Sequence, residues 1–250
     1  MQQETVMEIN SGRELRRAIR FPGVLALLLK DASHPLWMEE LARAVQEERF
    51  QLDRSELNGD IDRLATWLER NLPRDGVAVQ TRDALISDIL RLMHLLEDLT
   101  SAGWYKLRIF TAVPNRRCGF HVDTVPPAAP VWGALRVYNG EGTDWVAPHQ
   151  VRSMGMFYDW LQRRDRVVRR YYPAGDNAPL EALDDALDFL VDGARIHRVA
   201  AGTTVIFKHL DASEHWCDHP ADQAWLHCSP MRGRPRLVVN ISPYRRSDTL

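Results

Sequence analysis

A change of hydrophobic period at Gly103 is the feature that most constrains the fold of this chain. Before Gly103, apolar residues recur at helical intervals, most clearly in the segment 81–100. That segment presents one apolar stripe, made of Leu85, Ile89, Leu92, Met93, Leu96 and Leu99. Gly103 then stands where a helix stop is expected. Two further helices are predicted, one capped by Ser33 with Pro35 in its first turn and one over 60–71.

After Gly103 the apolar segments are short and are separated by Pro, Asn and Gly, which is typical of strands. The predicted strands lie at 104–113, 119–125, 131–140, 194–202, 203–209, 224–230 and 235–242. Two helices, over 157–172 and 179–191, interrupt them as an insertion at about 152–192. We therefore predict an α+β fold in which a helical region, 1–103, packs on a mostly β domain, 104–250.

Composition limits the partners that the chain can have. There are 34 acidic and 32 basic residues, so neither a nucleic-acid nor a membrane partner is predicted from charge. No segment has 18 uninterrupted apolar residues, and the N-terminus lacks the apolar run of a signal peptide. The three cysteines, Cys118, Cys217 and Cys228, form no CxxC pair, which favours a reducing, cytoplasmic location. The oligomeric state is left open.

The segment CGFHVDTV places His121 and Asp123 two residues apart in a predicted strand. Side chains at that spacing point to the same face, so an imidazole and a carboxylate would converge there. His227, on a later strand, completes a two-histidine, one-carboxylate set, which suits Fe(II) oxygen chemistry because it leaves coordination positions open. Arg236 follows nine residues later and offers a planar fork for a carboxylate, a role that Arg234 could take if the register slips. Short strands with this spacing fit a double-stranded β-helix, a cupin-like jelly roll.

The pattern His121, Asp123, His227 and Arg236 resembles that of the Fe(II)/2-oxoglutarate-dependent dioxygenase superfamily. The stretches NRRCGFHVDTVPPAAPVWGALRVYNGEGTDWV, VIFKH and HCSPMRGRPRLVVNIS are more closely similar to a bacterial family known as domain of unknown function 1826. The superfamily resemblance implies that the first three residues bind Fe(II) and that Arg236 pairs with the distal carboxylate of 2-oxoglutarate. Tyr138 or Arg136 would add a hydrogen bond to that co-substrate. The RxS sequence often seen at this place is absent, since Leu237 and Val238 follow Arg236.

The sequence therefore predicts an oxygenase that hydroxylates an unactivated C–H bond of a small molecule or an amino-acid-like substrate. Hydroxylation, desaturation and cyclisation are not distinguished. The main alternative is a non-catalytic, cupin-like protein that buffers or senses zinc or another divalent ion through the same residues, and a weaker one is a degenerate barrel that only binds a partner. Arg236 separates the first two, because only an oxygenase needs a buried cation facing the open metal positions.

A second group of metal-ligand types lies in KHLDASEHWCDHP, which contains His209, His215, Cys217 and His219. Its spacing matches no standard zinc finger, and we interpret it as a solvated connection near the site. The basic run 163–172 is interpreted as a solvated helix face that pairs with the second insertion helix. Because the insertion joins strands that flank the site, it is also a candidate lid.

Overall fold

A computed structural model describes residues 5–30, 35–114, 119–171, 173, 175 and 177–244. The fold is mixed α+β, with helices packed on a large β-sheet. The helices are α1 Gly12–Ala18, α2 Leu36–Gln46, α3 Ile61–Asn71, α4 Val79–Thr100, α5 Met154–Tyr171 and α6 Ala178–Ala186. The strands are β1 Val6–Ile9, β2 Ala26–Leu29, β3 Ser55–Gly59, β4 Tyr105–Ala112, β5 Thr124–Val125, β6 Trp132–Val137, β7 Asp144–Trp145, β8 His197–Arg198, β9 Thr204–Lys208, β10 Leu210–Asp211, β11 His227–Cys228 and β12 Arg236–Pro243. None of the described helices is long and apolar enough to cross a membrane.

Within the described residues, the strands form three sheets. The large sheet has the order β1-β2-β9-β6-β12-β4-β3, and every neighbouring pair except β1–β2 is antiparallel. A second sheet has the order β11-β7-β8, and β10 pairs with β5 in a third. The backbones of His121 and His227 form an antiparallel bridge that joins the end of the β11-β7-β8 sheet to the segment before β5.

We expected a helical N-terminal region, but three of its segments are strands of the large sheet. β1 and β2 extend one edge through β9, and β3 forms the other edge beside β4. Short strands of four or five residues show little alternation, so the helical pattern around them dominates the sequence signal. The first 103 residues therefore complete the sheet as well as cover it.

The predicted helices of this region are confirmed where they are described. α3 begins after Asp60, whose side chain accepts a hydrogen bond from the Arg63 N–H at 2.9 Å. α4 ends at Thr100, and the next residue, Ser101, adopts a left-handed conformation two residues before Gly103. Ser33, the predicted cap of α2, lies outside the described residues, and Pro35, predicted in the first turn, is instead the N-cap residue immediately before Leu36. The apolar faces of these helices and one face of the large sheet share a core that includes Leu92 of α4.

The insertion forms a second hydrophobic core with the smaller sheets. Phe157 and Trp160 of α5 pack with Phe120, next to His121, and with Cys228, next to His227. α6 ends earlier than predicted because Leu187 adopts a left-handed conformation, with φ at 38°, and the chain then turns so that Phe189 enters this core. The insertion thus supports the segments on which the two histidines lie.

Successive side chains of strand β12 point to opposite faces of the large sheet. Leu237, Val239 and Ile241 point into the core shared with the helices. The alternate residues, Arg236, Val238 and Asn240, line a cavity on the opposite face. The same alternation on β4 turns Arg108 and Phe110 toward that cavity. Residues of the proposed site therefore occur at every second position of β4 and β12.

Candidate metal centre

His121, Asp123 and His227 converge on one point, as the sequence predicts. Their ligand atoms all lie within 4.8 Å of one another, and within the described ranges no other group of three or more His, Cys, Asp or Glu side chains comes as close. The two histidines are paired across the bridge, where each backbone N–H donates to the other's carbonyl, at 2.8 and 3.1 Å. Their ring centroids are 4.5 Å apart. The backbone pairing thus fixes the separation of two imidazoles without a metal.

Both imidazoles are oriented through Nδ1. His121 Nδ1 lies 2.9 Å from the Gly119 carbonyl oxygen, and His227 Nδ1 lies 3.0 Å from that of Trp225. A carbonyl oxygen only accepts, so each Nδ1 carries a proton, and Nε2 is the ring nitrogen that remains for a metal. A histidine that donates its other N–H to a backbone carbonyl is the arrangement found at metal sites.

Asp123 is buried, with both carboxylate oxygens engaged. Arg108 approaches Oδ1 at 3.1 Å, and the Asn240 amide donates to Oδ2 at 2.8 Å. Burial alone would raise the pKa of Asp123, but the Arg108 guanidinium and the nearby histidines lower it well below its ordinary value. Arg108 also donates to the Asn240 side-chain oxygen at 3.2 Å. Asp123 is therefore an oriented carboxylate anion.

The buried imidazole of His227 is neutral at physiological pH. Burial, and then the neighbouring His121, lower the pKa of His227 to about 3. Its Nε2 lies 3.9 Å from Asp123 Oδ2, a distance that a shared cation could bridge. Two imidazole nitrogens and one carboxylate oxygen are suited to a divalent first-row metal such as Fe(II).

A cavity of about 80 Å³ opens beside the two histidines. Its lining residues are Arg54, Arg108, Phe110, His121, Leu135, Thr143, His227, Ser229, Arg236, Val238 and Asn240. Arg236 is 3% exposed, and one terminal nitrogen of its guanidinium donates to the backbone carbonyls of Glu141 and Gly142, at 2.9 and 3.0 Å. Arg234, the other candidate anchor, is exposed and precedes β12. Arg236 is thus the one of these two arginines that lines the cavity.

Arg136 and Tyr138 lie on the opposite face of the sheet from the metal-ligand candidates. Both contact Asp88 of α4, the Arg136 guanidinium at 3.5 Å and the Tyr138 hydroxyl, which donates, at 2.7 Å. Leu135, between the helix-facing positions of β6, is the residue of this strand that lines the cavity. The structure therefore corrects the expectation that Arg136 or Tyr138 reaches the co-substrate, because alternation along β6 turns both toward the helices.

The His- and Cys-containing loop does not assemble a metal site among the described residues. His209 is buried, and its Nε2 lies 2.9 Å from the Ser242 hydroxyl. His219 pairs instead with the Tyr158 hydroxyl at 2.8 Å, and Cys217 is exposed. Cys118 lies outside the described residues, and Cys228 is a buried free thiol whose pKa is raised by burial.

Sequence reasoning missed Arg108 and Asn240. In β4, Lys106 and Arg108 alternate with apolar residues, and in β12 Asn240 lies four residues after Arg236 on the same strand face, and this spacing is the signal that could have revealed them. The predicted pairing of the basic run with the second insertion helix is confirmed for Arg164, which binds Asp184 at 2.8 Å. That pair is buried, however, whereas we expected a solvated face.

Comparisons with solved structures find distant similarities. The chain is 17% identical to the Kdo hydroxylase KdoO, a non-heme Fe(II) α-ketoglutarate-dependent dioxygenase in complex with cobalt(II), over 96% of this chain and 90% of that one, with a TM-score of 0.45. A prolyl-4-hydroxylase from Pseudomonas putida is 14% identical over 95% and 100% of the two chains, with a TM-score of 0.45. The dioxygenase for auxin oxidation 1 from Arabidopsis thaliana, in its 2-oxoglutarate complex, is 9% identical over 99% and 94%, with a TM-score of 0.49.

No curated protein sequence matches this chain. A family model does match, over residues 30–241, which is most of the chain and includes His121, Asp123 and His227. The resemblance stated from the sequence is thereby confirmed, and the chain belongs to the family described as protein of unknown function, DUF1826.

Proposed function

We propose that this protein is an Fe(II)- and 2-oxoglutarate-dependent oxygenase that hydroxylates an unactivated C–H bond of a small-molecule or amino-acid-like substrate. One observation carries the proposal. His121, Asp123 and His227 form a preoriented two-histidine, one-carboxylate cluster at the wall of a cavity that also contains the buried Arg236. We further propose that the protein acts in the cytoplasm, as its cysteine pattern suggests.

The strand arrangement supports a double-stranded β-helix for residues 104–250. β4, β12, β6 and β9 are neighbours in the large sheet, and the segment of His121, β11, β7 and β8 pair in the smaller one. From β4 to β12 the chain thus crosses repeatedly between these two sheets, and the consecutive strands β7 and β8, which the helical insertion joins, stay in the smaller one. Residues 1–103 would then be a covering region that also extends the sheet at both edges.

The cavity fits a dicarboxylate co-substrate by its donors. Arg108 lines the metal side and has a buried Nε with no hydrogen-bond partner in the described structure. An orphaned buried donor is costly, and a carboxylate at this position would satisfy it. Arg236 and the Thr143 side chain lie among the buried lining residues. Arg108 and Arg236 thus offer two guanidinium groups, which suit an anion with two carboxylates.

In this proposal the metal with its co-substrate supplies the oxidising power, and the protein supplies placement. His121 and His227 would bind the metal through Nε2, and Asp123 through a carboxylate that Arg108 and Asn240 hold in place. Arg236 binds the distal carboxylate of the co-substrate. Leu135 and Val238 form an apolar part of the cavity wall and limit the access of water to the metal.

An anaerobic titration tests the proposal. The metal-free protein receives Fe(II) and then 2-oxoglutarate while the visible charge-transfer band of the chelated metal is followed. The band should appear with the wild type, be lost in His121→Ala and need at least about tenfold more 2-oxoglutarate in Arg236→Ala, because a buried charge-assisted contact is removed. Arg234→Ala, an exposed arginine of the same segment, is the matched control and should behave as wild type.

One result would contradict the oxygenase, and another would contradict the role of Arg236. If Fe(II) binds but no band forms at any 2-oxoglutarate concentration, the cluster holds a metal without this co-substrate, and the non-catalytic metal-binding alternative replaces the proposal. If Arg234→Ala weakens the band and Arg236→Ala does not, the assignment of the anchor is wrong.

A further inference from the structure

The cavity has a buried floor and a partly exposed rim. Arg236, Thr143, Val238 and other floor residues are buried. The rim consists of the exposed Arg54 and the half-buried Arg108, Phe110, His121 and Ser229. The cavity is small, about 80 Å³, so a co-substrate bound at its floor would fill most of it. The substrate must therefore approach across the rim.

Positive charge dominates both parts. The lining contains three arginines, none of its described members is acidic, and Asp123 is the carboxylate beside it. Fe(II) and doubly charged 2-oxoglutarate would cancel each other, which leaves three guanidinium groups against one carboxylate. Glu141 pairs with Arg198 and Glu56 pairs with Lys106, so each of these acids comes with a cation of its own. Glu56 also lies near Arg108 and Arg54, whose positive charge helps to lower its pKa, so it offsets part of the positive charge at the rim while Lys106 adds to it.

Arg54 contributes positive charge at the mouth of the cavity, where an anion could bind it. It precedes β3, and extending the register of Ser55 with Ile109 puts it opposite Phe110 of β4. Its guanidinium lies over the Phe110 ring, 5.4 Å from the centroid, and makes no ion pair within the described part of the chain. An exposed guanidinium held on an aromatic ring at a cavity mouth keeps its donors available for an anion.

We infer that the substrate carries an anionic group, a carboxylate or a phosphate, which Arg54 binds at the rim while the reacting C–H bond lies near the metal. This inference rests on the proposed function and names the substrate class of the same site. A cationic or neutral substrate would leave the excess positive charge uncompensated, so the site discriminates against both.

Probe pairs that differ in charge test the inference. Benzoate is compared with benzamide, and phenyl phosphate with phenol, by calorimetry on the full-length protein loaded with Zn(II) and 2-oxoglutarate, so that no turnover occurs. One anion or the other should bind about tenfold more tightly than its neutral partner, and the better of the two identifies the group. Raising the salt concentration should reduce that preference.

Arg54→Gln should weaken binding of the preferred anion at least about threefold and leave the neutral probe unchanged, as expected for a solvent-exposed ion pair. Arg70→Gln, the same change at an exposed position of α3, is the control and should alter neither. Equal affinity for charged and neutral probes, or unchanged anion affinity in Arg54→Gln, overturns the inference.

The affinity for 2-oxoglutarate separates this inference from the proposed function. It should stay within about twofold of wild type in Arg54→Gln, since rim charges beyond the co-substrate site contribute little. A parallel loss of 2-oxoglutarate affinity would place Arg54 in the co-substrate site and overturn the inference. If the wild type binds no 2-oxoglutarate yet prefers the anions through Arg54, the anion site stands and the oxygenase does not.

Discussion

Replacing Asn240 by leucine tests whether the metal-ligand carboxylate is held by its neighbours. Leucine has nearly the same size, so the change removes the amide without opening a cavity. Asn240 is 8% exposed, donates to Asp123 Oδ2 at 2.8 Å and accepts from Arg108 at 3.2 Å. The variant therefore leaves Asp123 Oδ2 without this donor, while Arg108 still pairs with Oδ1.

The expected loss can be bounded in two ways. A hydrogen bond to a charged group contributes about 1.5–3 kcal/mol. Removing a partner of a metal ligand typically lowers metal affinity about 10–100-fold, which is about 1.4–2.7 kcal/mol. Since the two ranges overlap, Asn240→Leu should raise the dissociation constant for Co(II) by about 10–100-fold.

Co(II) affinity is measured anaerobically by visible absorption in competition with a chelating dye, and circular dichroism melts report on the fold. Asn58→Ala, at an exposed position of β3 in the same sheet, should bind Co(II) as wild type does. A folded Asn240→Leu protein with Co(II) affinity within about twofold of wild type would refute the idea that this amide orients Asp123.

Two further predictions concern the apoprotein. In Gly133→Ala the new Cβ would lie 2.2 Å from His209 Cε1 and 2.6 Å from the Ile241 carbonyl oxygen, so the free energy of unfolding should fall by about 1–3 kcal/mol in urea denaturation. Gly103→Ala, with no atom within 4 Å of its Cβ, is the control, and equal losses in both would contradict the packing argument. Burial lowers the pKa of His209 to about 4 and that of His227 to about 3, from 6.5, so the unfolded chain binds protons that the folded one does not as pH falls below 6.5. The free energy of unfolding should therefore be highest above pH 6.5 and decrease toward pH 4, with a loss of about 2 kcal/mol per histidine at pH 5. The loss should be smaller in His209→Gln.

Much of the site could be predicted because its signals are local. His121 and Asp123 share a strand face because they are two residues apart. Among the nine histidines of the chain, His227 was selected because it lies on a later predicted strand and completes a two-histidine, one-carboxylate set. Arg236 was selected by its apolar strand, and the alternation of β12 is what brings it to the cavity. These inferences need only the period of a strand and the donor types that a metal prefers.

The sequence by itself determined the helices α3 and α4, the strands β4, β6, β9 and β12 and the pairing of metal-ligand types, because each depends on a short repeat. Only the tertiary structure decided which sheet face each residue occupies. It turned Arg136 and Tyr138 toward Asp88 of α4, and it brought Arg108 and Asn240 to Asp123 from two strands far apart in the chain. Face and partner depend on long-range strand pairing, and a periodic pattern carries no information about which distant segment will lie opposite.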